Sequence, residues 1–579
     1  MIKVDNLSYS FPQKDLYENI SFTLEDGQHC AFIGTSGSGK STLVDILMNP
    51  DKYLYDGKLE IEPNCRIGYL SQFSQLDKTN ETTVFEYVGG DFIRLQNELN
   101  AICTEMETST NADALLETYQ HTLDEFGAIG GNDFESNINK KLNLANLFKR
   151  KDQPVCELSG GEFKLVQVIK EMLTSPDLII MDEPDVFLDF ENLNALKNLI
   201  NSHKGIMLII THNRYLLNNC FNKIIHLENM QLQEFDGRYI DYTFSLLQRK
   251  IELQELALAD NEEIVRNEII IDNLRFIATN NTDAASGKSL HARVKYQERL
   301  EARRVMAPFV EMKQPEISLV TETKIEEPLA LKVNDYSVSF DEMLLENVSF
   351  EIKSTDKVAL IGSNGTGKTT LLRAIFENSN ASIEINKDVE VAYLSQLQGE
   401  MLNESNTVFE EFSDAGFTTE EEIISYISNF GFDSEVVNQK IGTLSGGERN
   451  ILQLAIISAG KSNLLLLDEP TSHLDIQSQI ALEKALINYN GAVLMISHDF
   501  HTIVNCMDYV LMIEDKTIRK MSMRKFRKMI YADHFDRDYL ELEQEKIAIE
   551  TKIAVALKDS DFTLAKALSE ELEALIKLL

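Results

Sequence analysis

The sequence is short of positive charge, of long apolar runs and of closely spaced cysteines, and each shortage excludes a class of protein. With 55 basic and 93 acidic side chains the net charge is −38, so most of the surface would repel bulk nucleic acid. No run of about 18 apolar residues occurs, which argues against a transmembrane helix. The opening MIKVDNLSYSF alternates like a strand instead of resembling a secretory leader, and we expect a soluble, cytoplasmic protein.

The six cysteines lie far apart and show neither CxxC spacing nor a disulfide rhythm. We therefore expect reduced thiols in a protein of the cytosol. The chain contains 579 residues, of which 43% are apolar, so it can bury enough apolar surface to fold. A globular chain of this length is too long to form one hydrophobic core, and we expect about three or four structural units.

The strongest feature is an internal repeat, in which five short strings occur in the same order in both halves. The first half contains GTSGSGKST, YLSQ, LSGGE, LIIMDEP and ITHN, and the second contains GSNGTGKTT, YLSQ, LSGGE, LLLLDEP and ISHD. Chance does not produce five ordered matches, so we expect two copies of one domain.

One string of each half has the pattern G-x-x-x-x-G-K-[ST] of a phosphate-binding loop. Each copy follows an apolar run, HCAFI or KVALI, and precedes a helical pattern, which is the context this loop requires. Lys40 and Lys368 would then reach the β and γ phosphates, and Ser41 and Thr369 would ligate Mg²⁺. The predicted ATP-binding residues of the loops are Gly34, Thr35, Ser36, Gly37, Ser38, Gly39, Lys40, Ser41, Thr42, Gly362, Ser363, Asn364, Gly365, Thr366, Gly367, Lys368, Thr369 and Thr370.

Two further strings place acidic and imidazole groups at strand ends. LIIMDE and LLLLDE resemble Walker B strands, in which Asp182 and Asp468 would assist Mg²⁺. Glu183 and Glu469 would polarise the attacking water, and we predict that both are catalytic. Two histidines, His212 and His498, lie at the end of the next apolar run of each half. We predict that they contact the γ phosphate and are also catalytic.

At LSGGE the sequence resembles the ATP-binding-cassette ATPases, because Ser159, Gly160 and Gly161 match their signature. The second copy has the same signature at Ser445, Gly446 and Gly447. The resemblance implies that each signature covers the ATP on the other cassette's loop, so that ATP binds at a head-to-tail interface and Mg²⁺ is the cofactor. It also implies Q-loop glutamines that contact ATP and the metal, Gln72 and Gln396. The family's D-loops match Leu188-Asp189 and Leu474-Asp475.

Two cassettes on one chain with a charged linker are similar to the ABC-F family, whose members act on the ribosome. The resemblance implies an α/β fold of two tandem cassettes joined by an α-helical hairpin linker and followed by a C-terminal α-helical hairpin. We predict a first cassette at 1–239 with an arm-like helical insertion at about 88–140, a linker at 240–325, a second cassette at 326–525 and a coiled-coil-like hairpin at 530–579.

The linker contains a basic stripe within SGKSLHARVKYQERLEARR, residues 286–304. Charge alone leaves two readings open, namely a surface that replaces counterions on a phosphate backbone and a solvated helix face. The family resemblance favours the first reading, in which the linker reaches tRNA and rRNA near the peptidyl-transferase region. The predicted RNA-binding residues are Lys288, Arg293, Lys295, Arg299, Arg303 and Arg304.

The first cassette departs from the family pattern where it reads DEPDVFLD instead of DEPTNHLD, because Asp185, Val186 and Phe187 replace the polar triplet. The second cassette keeps DEPTSHLD but has Phe500 where the first has Arg214. We expect the coupling between the two sites to be altered by the first change.

The prediction is a monomer with an intramolecular cassette pair that binds the ribosome in the ATP-bound closed state and leaves after hydrolysis. Within the family, a housekeeping translation factor and an antibiotic-resistance protein both remain open. Two readings from other classes also remain, a transporter ATPase subunit with a membrane partner and a DNA-associated ATPase.

Overall fold

The computed structural model describes residues 2–11, 14–63, 65–71, 81–106, 112–174, 176–186, 188–280, 293–296, 315–321, 329–340, 343–395, 402–460, 462–534 and 539–579. The chain forms two compact units, which are described separately. The first contains residues 1–236 and 314–529, and the second contains residues 237–313 and 530–579. Among the described helices, none is both long and apolar enough to cross a membrane.

The amino-terminal half of the first unit contains two sheets. Three antiparallel strands pair in the order β2-β1-β4, and six strands form a second sheet in the order β5-β6-β7-β3-β8-β9, in which only β9 is antiparallel to its neighbour. The strands are β1 (Ile2–Phe11), β2 (Lys14–Leu24), β3 (His29–Gly34), β4 (Asp56–Ile61), β5 (Ile67–Leu70), β6 (Leu178–Asp182), β7 (Ile206–Ile210), β8 (Lys223–Glu228) and β9 (Gln231–Asp236).

The described residues of this half form seven α-helices around these sheets. The extra length of the first half lies in the carboxyl-terminal part of α2 and in α3, because the start of α2 and the position of α4 match the second-half helices Val408–Asp414 and Glu420–Ser428. Both α2 and α4 pack on the helix that follows the signature. The helices are α1 (Lys40–Met48), α2 (Val84–Met106), α3 (Ala112–Ala128), α4 (Phe134–Leu144), α5 (Gly160–Leu173), α6 (Phe190–Ser202) and α7 (Arg214–Cys220).

The carboxyl-terminal half of the unit repeats this topology strand for strand, with the orders β11-β10-β13 and β14-β15-β16-β12-β17-β18. Its strands are β10 (Leu329–Ser339), β11 (Met343–Lys353), β12 (Lys357–Ile361), β13 (Ile383–Ile385), β14 (Val391–Leu394), β15 (Leu464–Asp468), β16 (Ala492–Ile496), β17 (Tyr509–Glu514) and β18 (Thr517–Ser522). Its helices are α9 (Lys368–Glu377), α10 (Val408–Asp414), α11 (Glu420–Ser428), α12 (Gly446–Ala459), α13 (Ile476–Asn488), α14 (Phe500–Cys506) and α15 (Met523–His534).

The central strands of both large sheets are buried along their whole length, because helices cover both faces of a parallel sheet. That burial explains why their sequences are continuous apolar runs instead of alternating ones. The carboxyl ends of these strands meet at one edge of the sheet, and the acidic and histidine residues of the repeated strings lie there.

The second unit is helical. It contains α8 (Tyr239–Asn280), the short helical stretch 293–296, α16 (Tyr539–Lys558) and α17 (Phe562–Ile576). The hairpin of α16 and α17 packs on α8 through an apolar cluster that includes Ile251, Ile553 and Leu572. A salt bridge of 2.6 Å between Lys566 and Glu255 joins the same two parts of the chain. The tail and the linker therefore share one core.

Candidate functional site

The two phosphate-binding loops have the same local geometry. Gly39 and Gly367 precede α1 and α9 with φ angles of 99° and 93°, in the left-handed region that glycine tolerates without strain. Lys40 Nζ donates hydrogen bonds of 2.9 Å to the carbonyl oxygens of Gly34 and Thr35. The lysine thus lies across its own loop, and the helix N-terminus behind it provides the N–H groups that an anion requires.

The acidic pair at each Walker B strand is held by backbone geometry. Glu183 and Glu469 have φ angles of 47° and 51°, a left-handed conformation that costs a non-glycine residue about 1–2 kcal/mol. Each N–H donates 2.9 Å to a carbonyl of the adjacent strand, at Ile210 and Ile496 respectively. These bonds hold both glutamates beyond the strand end, where backbone strain is typical of a functional site.

The residues at the first loop fit Mg²⁺. Ser41 Oγ donates a hydrogen bond of 2.8 Å to Asp182 Oδ2, so that a hydroxyl and a carboxylate oxygen lie side by side. That arrangement suits Mg²⁺, which ATPases bind through one or two protein oxygens together with phosphates.

The two halves of the unit reach into each other at both loops. Asp475 Oδ2 accepts a hydrogen bond of 3.1 Å from the N–H of Ser36, and Asp189 Oδ2 accepts one of 3.3 Å from the N–H of Asn364. The other oxygen of each aspartate caps its own helix, at the N–H groups of Ser478 and Asn192. Each D-loop aspartate therefore connects one half's helix to the other half's phosphate loop.

The signature glycines also face the opposite loop. A Cβ atom on Gly447 would lie 2.5 Å from Ser36 Oγ of the opposite loop and 2.6 Å from the carbonyl oxygen of His473, so only glycine fits here. At the second loop a cavity of about 490 Å³ is lined by residues of both halves. Its lining includes Gly160, Gly161, Asn364, Lys368, Thr369, Asp468, Glu469 and His498.

The glutamates that follow the two Walker B strands, Glu183 and Glu469, have different partners. His473 Nδ1 lies 3.0 Å from Glu183 Oε2 across the interface between the halves. Burial raises the pKa of Glu183, but the hydrogen bond and charge of His473 outweigh it and leave the pKa at about 2. Burial, together with the charge of Asp468, raises the pKa of Glu469 instead. The residue equivalent to His473 in the first half is Phe187, which lies outside the described residues.

Of the histidines predicted to contact the γ phosphate, His212 is buried and His498 is partly buried. Burial, followed by the charge of the loop lysine, lowers the pKa of His212 to about 4 and that of His498 to about 3. His498 Nε2 lies 3.5 Å from Glu469 Oε1. The Nδ1 atoms of both histidines form no hydrogen bond within the described part of the chain, so each has a buried polar atom that a substrate group could satisfy.

Asp185, one of the residues that break the family pattern, is half-buried beside the buried Thr211. Thr211 Oγ1 donates a hydrogen bond of 2.7 Å to Asp185 Oδ1. In the second half the same positions are Thr471 and Ser497, whose hydroxyl oxygens are 3.5 Å apart. Burial raises the pKa of Asp185 to about 6 despite the bond from Thr211. A titratable pair thus replaces a neutral one in the first half.

Arg214 forms a buried ion cluster across the interface. Its guanidinium donates to Glu483, to Asp499 Oδ2 at 3.0 Å and to Thr502 Oγ1 at 3.4 Å, all in the second half. Thr502 Oγ1 lies 2.7 Å from Asp499 Oδ2 and 2.9 Å from Glu483 Oε1 and donates its single hydrogen to one of them, so the cluster is a connected network. The equivalent positions on the other side of the interface are Phe500 and Lys197, which cannot form the same ion pairs.

The other side of the interface is aromatic. Phe190, at the start of α6, lies edge-on to His498 with ring centroids 5.9 Å apart. Its ring also meets Phe526 of the second half at 6.3 Å, and Phe500 lies 6.2 Å from the same ring. One side of the interface is thus ionic and the other is apolar, which makes the two sites unequal.

Several predicted site residues lie outside the described residues: Gln72, Gln396, Lys288, Arg299, Arg303 and Arg304. Lys295 is exposed in the helical stretch 293–296. Arg293 has a packing contact, because its Nη1 donates 3.4 Å to the buried Asn267 of α8 and its carbonyl accepts from Asn267 Nδ2 at 3.1 Å. The sequence does not predict the role of His473, although the difference between DEPTSHLD and DEPDVFLD falls at that position. It indicates Asp189 and Asp475 as D-loop residues but not their contacts with the opposite phosphate loops.

Comparison with known proteins identifies the repeated domain. A family profile described as "ABC transporter" matches residues 17–186 and 345–472. The energy-dependent translational throttle protein EttA of Escherichia coli K12 is 31% identical over 528 residues, which cover 87% of this chain and 90% of EttA. The uncharacterized ABC transporter ATP-binding protein YfmM of Bacillus subtilis is 28% identical over 521 residues, 86% of this chain and 95% of YfmM.

A solved structure of RNase-L inhibitor has the same fold, with a TM-score of 0.55, 18% identity and coverage of 92% of both chains. The profile and the two relatives establish ATP binding and ATP hydrolysis for this chain.

We predict that Arg214→Gln destabilises the protein by about 3–5 kcal/mol, because it leaves the carboxylates of Glu483 and Asp499 buried without a cation. Urea unfolding of the full chain measures the loss. Arg94→Gln is the matched control, since Arg94 is 59% exposed in its pair with Glu98 and such pairs contribute about 0–1 kcal/mol. Equal effects of the two substitutions would contradict the account of the ion cluster.

Asp185 predicts a pH dependence of stability. Its folded pKa of about 6 lies above its ordinary value of 3.8, so the native state holds the proton more tightly and stability falls as pH rises from 4 to 6. Asp185→Asn should remove this fall and stabilise the protein by roughly 2–3 kcal/mol above pH 6. Urea unfolding at several pH values tests this, with Asp26→Asn as an exposed control. A pH profile unchanged by Asp185→Asn would refute the prediction.

Proposed function

Because the chain belongs to the ABC-F family of ATP-binding-cassette ATPases, we propose that it is a translation factor that binds the ribosome while ATP joins its cassettes. Hydrolysis of ATP would separate the cassettes and release the protein. The proposal includes action in the cytoplasm as a single chain, whose two cassettes form the pair within one molecule.

The proposal rests on one observation, which is that each phosphate loop is contacted by residues of the opposite cassette. Each loop meets a signature and a D-loop aspartate from the opposite cassette. ATP in such a site would touch both cassettes, so its phosphates would contribute to the interface. Conversion of ATP to ADP and phosphate would remove that contribution, which is the property that a factor needs if it is to bind and then leave.

The catalytic roles follow from the position of the acidic residues. Glu183 and Glu469 would each accept a hydrogen bond from the water that attacks the γ phosphate, and His212 and His498 would contact the γ-phosphate oxygens. The loop lysines and the signature N–H groups would bind the phosphate oxygens. We propose unequal turnover, since Glu183 has a pKa of about 2 whereas the pKa of Glu469 is raised.

Ser41 with Asp182, and Thr369 with Asp468, would hold Mg²⁺ in the two sites, with the Q-loop glutamines as further ligands. When bound, Mg²⁺ would offset negative charge on the phosphates and on the leaving group.

Two facts support the ribosome as the partner, namely membership of the ABC-F family and the name of one relative. EttA is named a translational throttle protein, and its alignment covers 87% of this chain. The linker's basic stripe would meet tRNA and rRNA, since exposed cations such as Lys295 can replace counterions on a phosphate backbone. Arg293 contributes less to this surface, because its side chain packs on Asn267.

The proposal predicts ribosome binding that depends on ATP. The double substitution Glu183→Gln, Glu469→Gln should retain ATP without hydrolysing it, and the protein should then sediment with purified ribosomes. The amount bound with ATP should exceed the amount bound with ADP at least tenfold.

A second variant, Lys40→Met with Lys368→Met, is the control, because it removes the phosphate-binding cations and should stay in the supernatant with either nucleotide. The proposed function is wrong if the double glutamine variant binds ATP and still fails to sediment with ribosomes. Rapid ATP hydrolysis by that variant would contradict the catalytic roles of the two glutamates.

A further inference from the structure

A second cationic surface lies in the second cassette, away from the linker. Residues 516–528, KTIRKMSMRKFRK, contain seven basic side chains and no acidic one, in a chain of net charge −38. We call these residues the basic segment. Its cations are Lys516, Arg519, Lys520, Arg524, Lys525, Arg527 and Lys528.

The fold presents these cations to solvent. The segment spans β18, the last strand of its sheet, and the first half of α15. Phe526 is fully buried and packs between Phe190 and Phe500, which anchors α15 on the cassette. Six of the seven basic residues are exposed, the exception being the half-buried Arg527, which donates 2.8 Å to the carbonyl of Val504.

The exposed cations have few internal partners. None of the seven basic residues forms an ion pair with a carboxylate in the part of the chain that the structure describes. Lys520 lies over the ring of Tyr509, with its Nζ 3.5 Å from the ring centroid. Ion pairs within the protein therefore do not explain why these positive charges are concentrated here. The segment has a positive potential that can attract an anionic partner.

The first cassette shows that the fold does not require these charges. The D-loop, the histidine and the final hairpin follow each other at the same spacing in both cassettes, so residues 230–242 correspond to the basic segment. That stretch, MQLQEFDGRYIDY, contains one basic and three acidic residues. Glu234 stands where the second cassette has Lys520, and Gln233 where it has Arg519. The same strand thus carries opposite charge in the two cassettes.

The apolar residues of the segment discriminate between two kinds of anionic partner. A helix that binds a lipid surface exposes large apolar side chains for insertion among the headgroups. Within residues 516–530 no large apolar side chain is exposed, and Phe526 is buried in the cassette instead. Cations without an exposed apolar face fit a phosphate backbone, whose binding is electrostatic.

We infer that the basic segment is an RNA-binding surface that contacts the phosphate backbone of ribosomal RNA, independently of the linker. This inference rests on the proposed function for its choice of ribosomal RNA. The acidic remainder of the chain would restrict contact to a few places, so the segment would orient the second cassette on the ribosome.

The test replaces Arg524, Lys525 and Lys528 by glutamine in the double Glu→Gln background. Glutamine is a good helix former, so α15 should be retained. Ribosome binding should weaken at least tenfold, and the slope of log K against log salt should fall by about two, since each phosphate contact contributes roughly 0.7–0.9. The same substitutions in the hydrolysing protein should leave its basal ATPase rate unchanged.

The matched control replaces three exposed lysines elsewhere on the cassettes by glutamine, Lys52, Lys204 and Lys387. If both triple variants bind ribosomes with the same affinity and salt slope, the inference is overturned while the proposed function stands. If the parent itself fails to bind ribosomes, the proposed function fails and the inference fails with it. A third outcome concerns phosphatidylglycerol vesicles. If the parent binds them and only the triple variant at Arg524, Lys525 and Lys528 loses that binding, the partner is a lipid surface and the inference is overturned.

Discussion

One carboxylate on each cassette, shared between its own helix and the opposite phosphate loop, is the contact on which the rest of the interface depends. Asp475 caps α13 with one oxygen and accepts from the N–H of Ser36 with the other, and Asp189 does the same for α6 and Asn364. The distance between a loop and the opposite D-loop is therefore fixed by a helix cap. This places the signature glycines close enough to the facing loop that a single added methyl group would collide with Ser36.

The two halves share a fold but differ where they meet. A buried arginine network lies on one side of the interface, and a group of phenylalanines lies on the other. A histidine reaches Glu183 from across the interface, and the two glutamates consequently differ in acidity. Since ion pairs and aromatic contacts respond differently to salt and separation, the two sites need not open together, which gives a physical basis for unequal turnover.

The fold class and the phosphate loops could be predicted from the sequence, because buried parallel strands are continuous apolar runs and the loop pattern has fixed spacing. The long helix at Tyr239–Asn280 could be predicted for the same kind of reason. The contacts of Arg214, His473 and the D-loop aspartates could not, since they join residues 175 to 439 positions apart and no local pattern encodes such pairing. A helical pattern does not predict the basic segment as one surface, because its charges are spread over a strand and a helix that only the fold brings together.

The central claim is that each ATP site is built from both cassettes, and photolabelling with azido-ATP tests it most directly. Asp475→Asn keeps the helix cap but turns an amide donor toward the N–H of Ser36, so the loss should appear across the interface. The account predicts reduced labelling of the first-cassette peptide that contains Lys40, and Asp189→Asn should reduce labelling of the peptide that contains Lys368. Loss confined to the mutated cassette's own loop would contradict the account.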